Sequence, residues 1–195
     1  MELEKVQAIN DVYSCLELGI DGITIGVNNR KVLVGMAESL GIADQFNDFV
    51  VALDKWDKIG EKGVKKELID KGFDAATVKE IIGLSETTDI RSLRGKLDTE
   101  EGQKGLDELE LVLKRAEELD IEGVHFQPRL ARGLDYYTGI IIEVTSEGYN
   151  GSICAGGRYD DLTSIFGLKD VSGVGVSFGA DRIYDLMKEK ELLQL

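Results

Sequence analysis

The sequence predicts an α+β fold, and three observations carry that prediction. Between residues 43 and 120 apolar side chains recur almost purely at helical spacing. After residue 121 the pattern changes to short alternating runs separated by glycines, and 11 of the 23 glycines lie in that part. Before residue 43 a single alternating run sits between two helical ones. Helices gathered in one block and strands in another point to an antiparallel sheet with flanking helices. The chain therefore divides into residues 1–42, 43–120 and 121–195.

The elements follow in order. Leu3, Val6, Ile9, Val12, Tyr13 and Leu16 mark a first helix, with Gly19 as its stop. Ile23, Ile25 and Val27 alternate with Thr24 and Gly26 and mark a strand. Asn28-Asn29-Arg30 reads as a turn into a helix carrying Val32, Leu33, Met36 and Leu40. Phe46, Phe49, Val50, Leu53 and Trp56 form one stripe. Val64, Leu68 and Ile69 form a second, ended by Gly72. Val78, Ile81 and Ile82 form a short third. Leu106, Leu109, Val112, Leu113, Ala116 and Leu119 line the longest helix, with Asp98 and Glu101 resembling a capping arrangement at its start. All these stripes read as core, Trp56 included. Strands are predicted at Gly123–Leu130, Ile140–Thr145, Ser152–Ala155 and Gly173–Phe178. The last leads into a helix that turns Ile183, Leu186 and Met187 inward.

Composition excludes several classes. Apolar residues make up 43% and charged residues 31%, as in a soluble globular chain with a sizeable core. No apolar run approaches the roughly 20 residues of a membrane span, and the acidic N-terminus is not a secretory signal. Cys15 and Cys154 stand far apart, which suits a reduced, cytoplasmic protein. The net charge is −14, with 26 acids against 16 bases before Ile121 and 11 against 7 from there on. Phosphate affinity comes largely from Lys and Arg, so nucleic acid is not expected to be a strong partner of this chain alone.

One segment stands out chemically. Arg132-Gly133-Leu134-Asp135-Tyr136-Tyr137-Thr138-Gly139 sets a cation, an acid and two adjacent phenols between two apolar runs. Ala155-Gly156-Gly157-Arg158-Tyr159-Asp160 repeats the theme with a second cation and phenol beside paired glycines. Phosphate-cradling loops are missing, and Gly173-Val-Gly-Val-Ser-Phe-Gly179 has the wrong spacing for one. His125 is the only histidine, so neither a metal cluster nor a Ser-His-Asp set can be built around it, and it reads as a packed or capped side chain. Three arginines remain on or beside strands: Arg132, Arg158 and Arg182. A guanidinium is always charged and offers a fixed fork of donors suited to carboxylate and phosphate. The expectation is that all three face one hollow, the alternative being structural pairing with Asp135, Asp160 and Asp161.

These stretches resemble the histidyl-tRNA synthetases, a class II aminoacyl-tRNA synthetase family. Arg132–Gly139 is similar to that family's signature, Ala155–Asp160 to its second histidine-loop motif, and Gly173–Arg182 to class II motif 3. The resemblance implies a catalytic core in two segments, 1–42 and 121–195, holding part of a class II antiparallel sheet. Residues 43–120 would be a helical insertion domain. It implies ATP-dependent activation of L-histidine to histidyl-adenylate and transfer to tRNA(His). Arg132 would be the catalytic cation and would bind the histidine carboxylate. Tyr136, Tyr137, Gly156, Gly157 and Tyr159 would form the histidine site, with the two glycines letting the backbone approach the ligand. Arg182 and Gly179 would contact ATP. The resemblance implies Mg2+ and a homodimer in the full-length enzyme, a cytoplasmic location and no membrane partner. Class II motifs 1 and 2 and an anticodon-binding domain have no counterpart in this sequence, so the 195 residues by themselves are expected to be inactive. A synthetase-like regulatory protein that senses histidine or uncharged tRNA is the alternative, and the intact Arg132–Tyr137 stretch and Arg182 favour the enzyme.

Overall fold

A computed structural model describes residues 19–132, 136–160, 164, 167 and 171–193. The predicted helix over residues 3–16, together with Cys15, Gly133, Leu134, Asp135 and Asp161, lies outside the described residues. The described elements run β1 (Ile23–Asn29), α1 (Arg30–Ser39), a 3-10 turn (Ala43–Gln45), α2 (Phe46–Asp54), α3 (Trp56–Asp70), α4 (Ala75–Ser85), α5 (Ile90–Arg94), α6 (Glu100–Glu118), β2 (Val124–Phe126), β3 (Ile140–Ser146), β4 (Cys154–Tyr159), β5 (Gly173–Phe178) and α7 (Ala180–Glu189). The strands form one sheet in the order β2-β1-β3-β4-β5.

The sheet is antiparallel from β1 through β3 and β4 to β5, but β2 pairs parallel to β1. That pairing is a correction to the all-antiparallel expectation. It arises because the chain leaves β1 through the helices and returns in α6 before entering β2, which is the crossover a parallel neighbour needs. The run Gly123–Leu130 is a strand only over Val124–Phe126. Pro128 has no N–H to give the ladder, and the Pro128 and Leu130 carbonyls accept hydrogen bonds from Asn28 Nδ2 at 3.0 and 2.8 Å. Asn28 and Asn29, read as a turn, instead end β1, and Asn29 Oδ1 caps α1 by accepting from the Lys31 N–H. The third predicted strand begins later and runs on to Tyr159, because Gly156 and Gly157 pair with both neighbours.

The core is built from the predicted stripes. Leu106, Leu109, Val112 and Ala116 of α6 are buried, as are Phe49, Val50 and Leu53 of α2 and Val64 and Leu68 of α3. Helix α6 packs on α1 and on the sheet. The α1–α6 crossing is tight: a Cβ on Gly35 would lie 2.4 Å from Gly102 Cα. Two stripe residues depart from expectation, Ile69 being 46% and Leu119 59% exposed. Leu119 has left the helical face because it is the C-cap of α6, and Ile69 sits in the last turn of α3. The N-cap of α6 is Thr99, whose Oγ1 accepts from the Gly102 N–H, and not Asp98. The Asp98 carboxylate is engaged by the Ser39 hydroxyl, which donates to Oδ1 at 3.1 Å. Trp56 is buried, as expected, with the Arg129 guanidinium 5.7 Å from its ring centroid.

Candidate active site

Strand register sorts the sheet's side chains into two faces, because alternate residues point to opposite sides. One face holds Ile25 and Val27 of β1, Ile140, Ile142 and Val144 of β3 and Cys154 of β4, all buried. Helix α6 covers it, with the Glu108 carboxylate accepting from Asn29 Nδ2 at 2.7 Å and from Lys31 Nζ at 2.5 Å. The opposite face carries Gly26 and Asn28 of β1, Ile141 and Glu143 of β3, Ala155, Gly157 and Tyr159 of β4 and Gly173 and Gly175 of β5. It is small, polar and aromatic, and the predicted site residues concentrate there.

Arg132 meets this face through an ion pair between its Nε and Glu143 Oε1. The Glu143 side chain is 5% exposed and that of Arg132 37%. No other partner engages the Arg132 guanidinium among the described residues, so its outer edge is available to a ligand. Burial pushes the Glu143 carboxyl above the usual range; Arg132 pulls it down, Asp57 pushes it up, a hydrogen bond from Ser152 lowers it and Asp54 raises it. Ser152 is itself buried, and Arg182 Nη1 donates to its carbonyl at 2.7 Å and its hydroxyl at 3.2 Å. Glu143 and Ser152, both buried, thus each engage one of the predicted arginines. A cleft lined by Asp54, Asp57, Gln127, Arg129, Arg132 and Glu143 opens between this face and helices α2 and α3.

The third arginine is elsewhere. Register places Arg158 on the helix-covered side of β4, where its Nε donates to Asp160 Oδ1 at 3.0 Å. Thr138 Oγ1 donates to the other oxygen of Asp160 at 2.7 Å. Burial pushes the Asp160 carboxyl up, but the Thr138 and Arg158 hydrogen bonds outweigh it and hold it below its ordinary value. Arg158 is thus a structural bridge, and the expectation of three guanidinium groups around one hollow gives way to two.

The aromatic residues explain the glycines. Tyr137 is 8% exposed and packs edge-on against Tyr136, which is 50% exposed, with ring centroids 4.4 Å apart. A Cβ on Gly157 would fall 2.7 Å from the Tyr137 ring and 2.6 Å from the Ile140 carbonyl. One on Gly173 would fall 2.3 Å from the Tyr159 ring. Gly156 faces the other way, against Val176 and the Gly175 carbonyl. The space that a side chain would take at these glycines is filled by protein. Gly157 seats Tyr137, and Gly173 and Gly175 seat Tyr159. Burial, then Tyr136, pushes the Tyr137 phenol well above its ordinary pKa, so it stays protonated as a donor at neutral pH. Gly179 precedes α7 and lies against the stem of Arg182. His125, expected to be packed, is exposed, with Nδ1 3.4 Å from the Gly123 carbonyl.

A family model described as histidyl-tRNA synthetase matches residues 3–183. The chain belongs to the histidyl-tRNA synthetase family. Histidine–tRNA ligase from Christiangramia forsetii is 48% identical over 198 residues, covering 96% of this chain and 43% of that relative. The solved structure of histidyl-tRNA synthetase from Nostoc sp. PCC 7120 superposes over 100% of this chain and 48% of its own, with a TM-score of 0.88 at 30% identity. A Bacillus halodurans C structure described as an ATP phosphoribosyltransferase regulatory subunit/histidyl-tRNA synthetase shares the fold, with a TM-score of 0.79 at 18% identity over 93% of this chain and 48% of its own. The chain therefore spans less than half the length of these proteins. Its mixed sheet with flanking helices is a class II synthetase fold.

Sequence reasoning missed Glu143, Ser152, Asn28 and Gln127. The available signal was polarity inside strands: Glu143 is the lone charge in Ile140-Ile-Ile-Glu-Val144, and a buried charge is retained only where something engages it. For Mg2+, no three His, Cys, Asp or Glu side chains converge as a metal site among the described residues.

Proposed function

We propose that this chain supplies the histidine-recognising and ATP-contacting part of a histidine–tRNA ligase. In that reading a carboxylate oxygen of L-histidine attacks the α-phosphorus of ATP, pyrophosphate leaves, and the histidyl group then passes to tRNA(His). Residues 1–42 and 121–195 form the catalytic core and 43–120 the insertion, with α6 as the insertion's contact to the sheet. The observation that carries the reading is that Arg132 and Arg182 are each held by a buried polar residue, Glu143 and Ser152 respectively. Two permanent cations held in fixed geometry suit a reaction that joins a carboxylate to a phosphate and builds negative charge as it does so. Arg132 would bind the histidine carboxylate and the α-phosphate, and Arg182 the remaining phosphates or the adenine. Tyr137, kept as a neutral phenol, would donate to the imidazole, while Tyr136 and Tyr159 wall the site. Catalysis would come from positioning and charge stabilisation, without a covalent enzyme intermediate.

The test is amino-acid-dependent exchange between ATP and pyrophosphate, run on the complete protein with each of the standard amino acids. Exchange with histidine alone is expected. Histidine binding without exchange would favour the regulatory alternative, which the Bacillus halodurans fold neighbour keeps in view. The 195 residues by themselves are expected to show no exchange, since they span less than half of the related ligases.

A further inference from the structure

We propose that Glu143 and Ser152 are positioning residues for histidine activation, Glu143 for Arg132 and Ser152 for Arg182. The inference rests on the reading of those arginines given above. A carboxylate in an isoleucine-rich strand costs the fold desolvation energy, and an apolar residue of similar size would serve packing better. Glu143 is nonetheless 5% exposed, and its neighbours Ile142 and Val144 are buried. What it provides is orientation. Its Oε1 pairs with Nε of Arg132, which holds the guanidinium charge at this face of the sheet, where Arg132 and Glu143 line one cleft. The buried Ser152 accepts from Arg182 Nη1 through both its carbonyl and its hydroxyl, which holds that guanidinium at two points.

The wider setting is equally fixed. Asn28 is fully buried and spends both Nδ2 hydrogens on the carbonyls of Pro128 and Leu130. Its Oδ1 accepts from the Asn29 N–H at 2.8 Å. The segment ending in Arg132 is therefore pinned through its backbone, while Glu143 pins the side chain. Neither Glu143 nor Ser152 needs to touch a substrate; both act through the arginines.

The experiment is a pair of double-mutant cycles in the complete protein, read as histidine-dependent ATP–pyrophosphate exchange. E143A is expected to lower kcat about 100-fold, the scale on which an ångström of misplacement acts, with KM for histidine and ATP changed less than about 3-fold. S152A is expected to cost about 10-fold. In an R132A background E143A should cost less than about 3-fold more, because a positioning residue has nothing left to position. S152A should likewise lose its effect in R182A. Should E143A fail to fold, E143Q keeps the shape and replaces it in the cycle. Free guanidinium is expected to restore part of the R132A rate, and to restore less when Glu143 is also replaced.

An E143A or E143Q cost that is the same in both backgrounds, or a wild-type kcat for both variants, would overturn the inference and leave the role of Arg132 standing. An R132A enzyme with wild-type exchange would instead remove the functional reading, and this inference with it.

Discussion

The two faces of the sheet are made by the same strands and do opposite work. On the face under α6, Ile25, Val27, Ile142 and Val144 are all 0% exposed. On the other, the same β1, β3 and β4 present Gly26, Asn28, Glu143, Gly157 and Tyr159. The polar groups of the helix-covered face, Asn29, Glu108 and Arg158, satisfy one another or the nearby Lys31, Thr138 and Asp160. On the opposite face Asn28 is likewise satisfied, whereas Arg132 pairs with Glu143 and lines the cleft. The contrast shows how one pleated layer separates stability from chemistry. The side whose polar groups pair with one another holds the fold, and the side that buries Glu143 holds a cation beside the cleft.

If that division is right, substitutions on the two faces should fail differently. Ile142→Ala removes buried atoms from the helix-covered face and is expected to cost about 2–5 kcal/mol of stability, while the activity per folded molecule of the complete protein is preserved. A denaturant melt alongside an exchange assay checks both halves. Gly157→Ala should break the other face by overpacking, since a Cβ there meets the Tyr137 ring and the Ile140 carbonyl. A loss of about 1–3 kcal/mol is expected, with weakened histidine affinity as Tyr137 is displaced, measurable by melting and by histidine titration. Thr99→Ala, far from either substrate, should cost about 1 kcal/mol by uncapping α6 and leave kinetics unchanged.

The smallest effect has the opposite sign. Glu143 titrates above its ordinary range in the fold, first through burial, with Asp57 and Asp54 adding to the push against Arg132 and Ser152. A raised carboxyl pKa contributes stability at low pH, where the group is protonated, and that contribution is lost as pH rises through the folded-state value. Glu143→Gln carries no such charge. It is expected to melt at or slightly above wild type at about pH 7 and to lose that advantage toward about pH 4, near the ordinary glutamate value. Melting curves across that interval measure it, and a variant that is more stable but slower would set the two faces against each other most plainly.

Much of this was readable in the chain, and the rest was not for identifiable reasons. Helix α6 was legible because Leu106, Leu109, Val112 and Ala116 repeat at the helical period and need no distant partner to define their face. Strands β3 and β5 were legible from their apolar runs and flanking glycines. The family was legible from the motifs around Arg132, Gly156 and Arg182. What failed depended on long-range register. Arg158 sits one residue from Gly157 and Tyr159, and only pairing with β3 and β5 decides that it points to the other side. Asn28 reads as turn chemistry until its partners appear 100 and 102 residues away. That Gly157 and Gly173 seat the rings of Tyr137 and Tyr159 could not be read locally, because those rings come from elsewhere in the chain. The parallel pairing of β1 with β2 could not be seen locally, because it joins strands separated by the whole helical block.

The central claim is that the face bearing Arg132 is where histidine and ATP react. Its most direct test is the rate of histidine-dependent ATP–pyrophosphate exchange in the complete protein carrying Arg132→Ala, taken with its melting temperature. The account predicts a fall of about 1000-fold, the scale of losing a preorganised charge-stabilising donor, in a variant that still folds but melts lower because the buried Glu143 loses its partner. Exchange within about 2-fold of wild type in a folded variant, well inside the single factor of ten that about 1.4 kcal/mol represents, would contradict it.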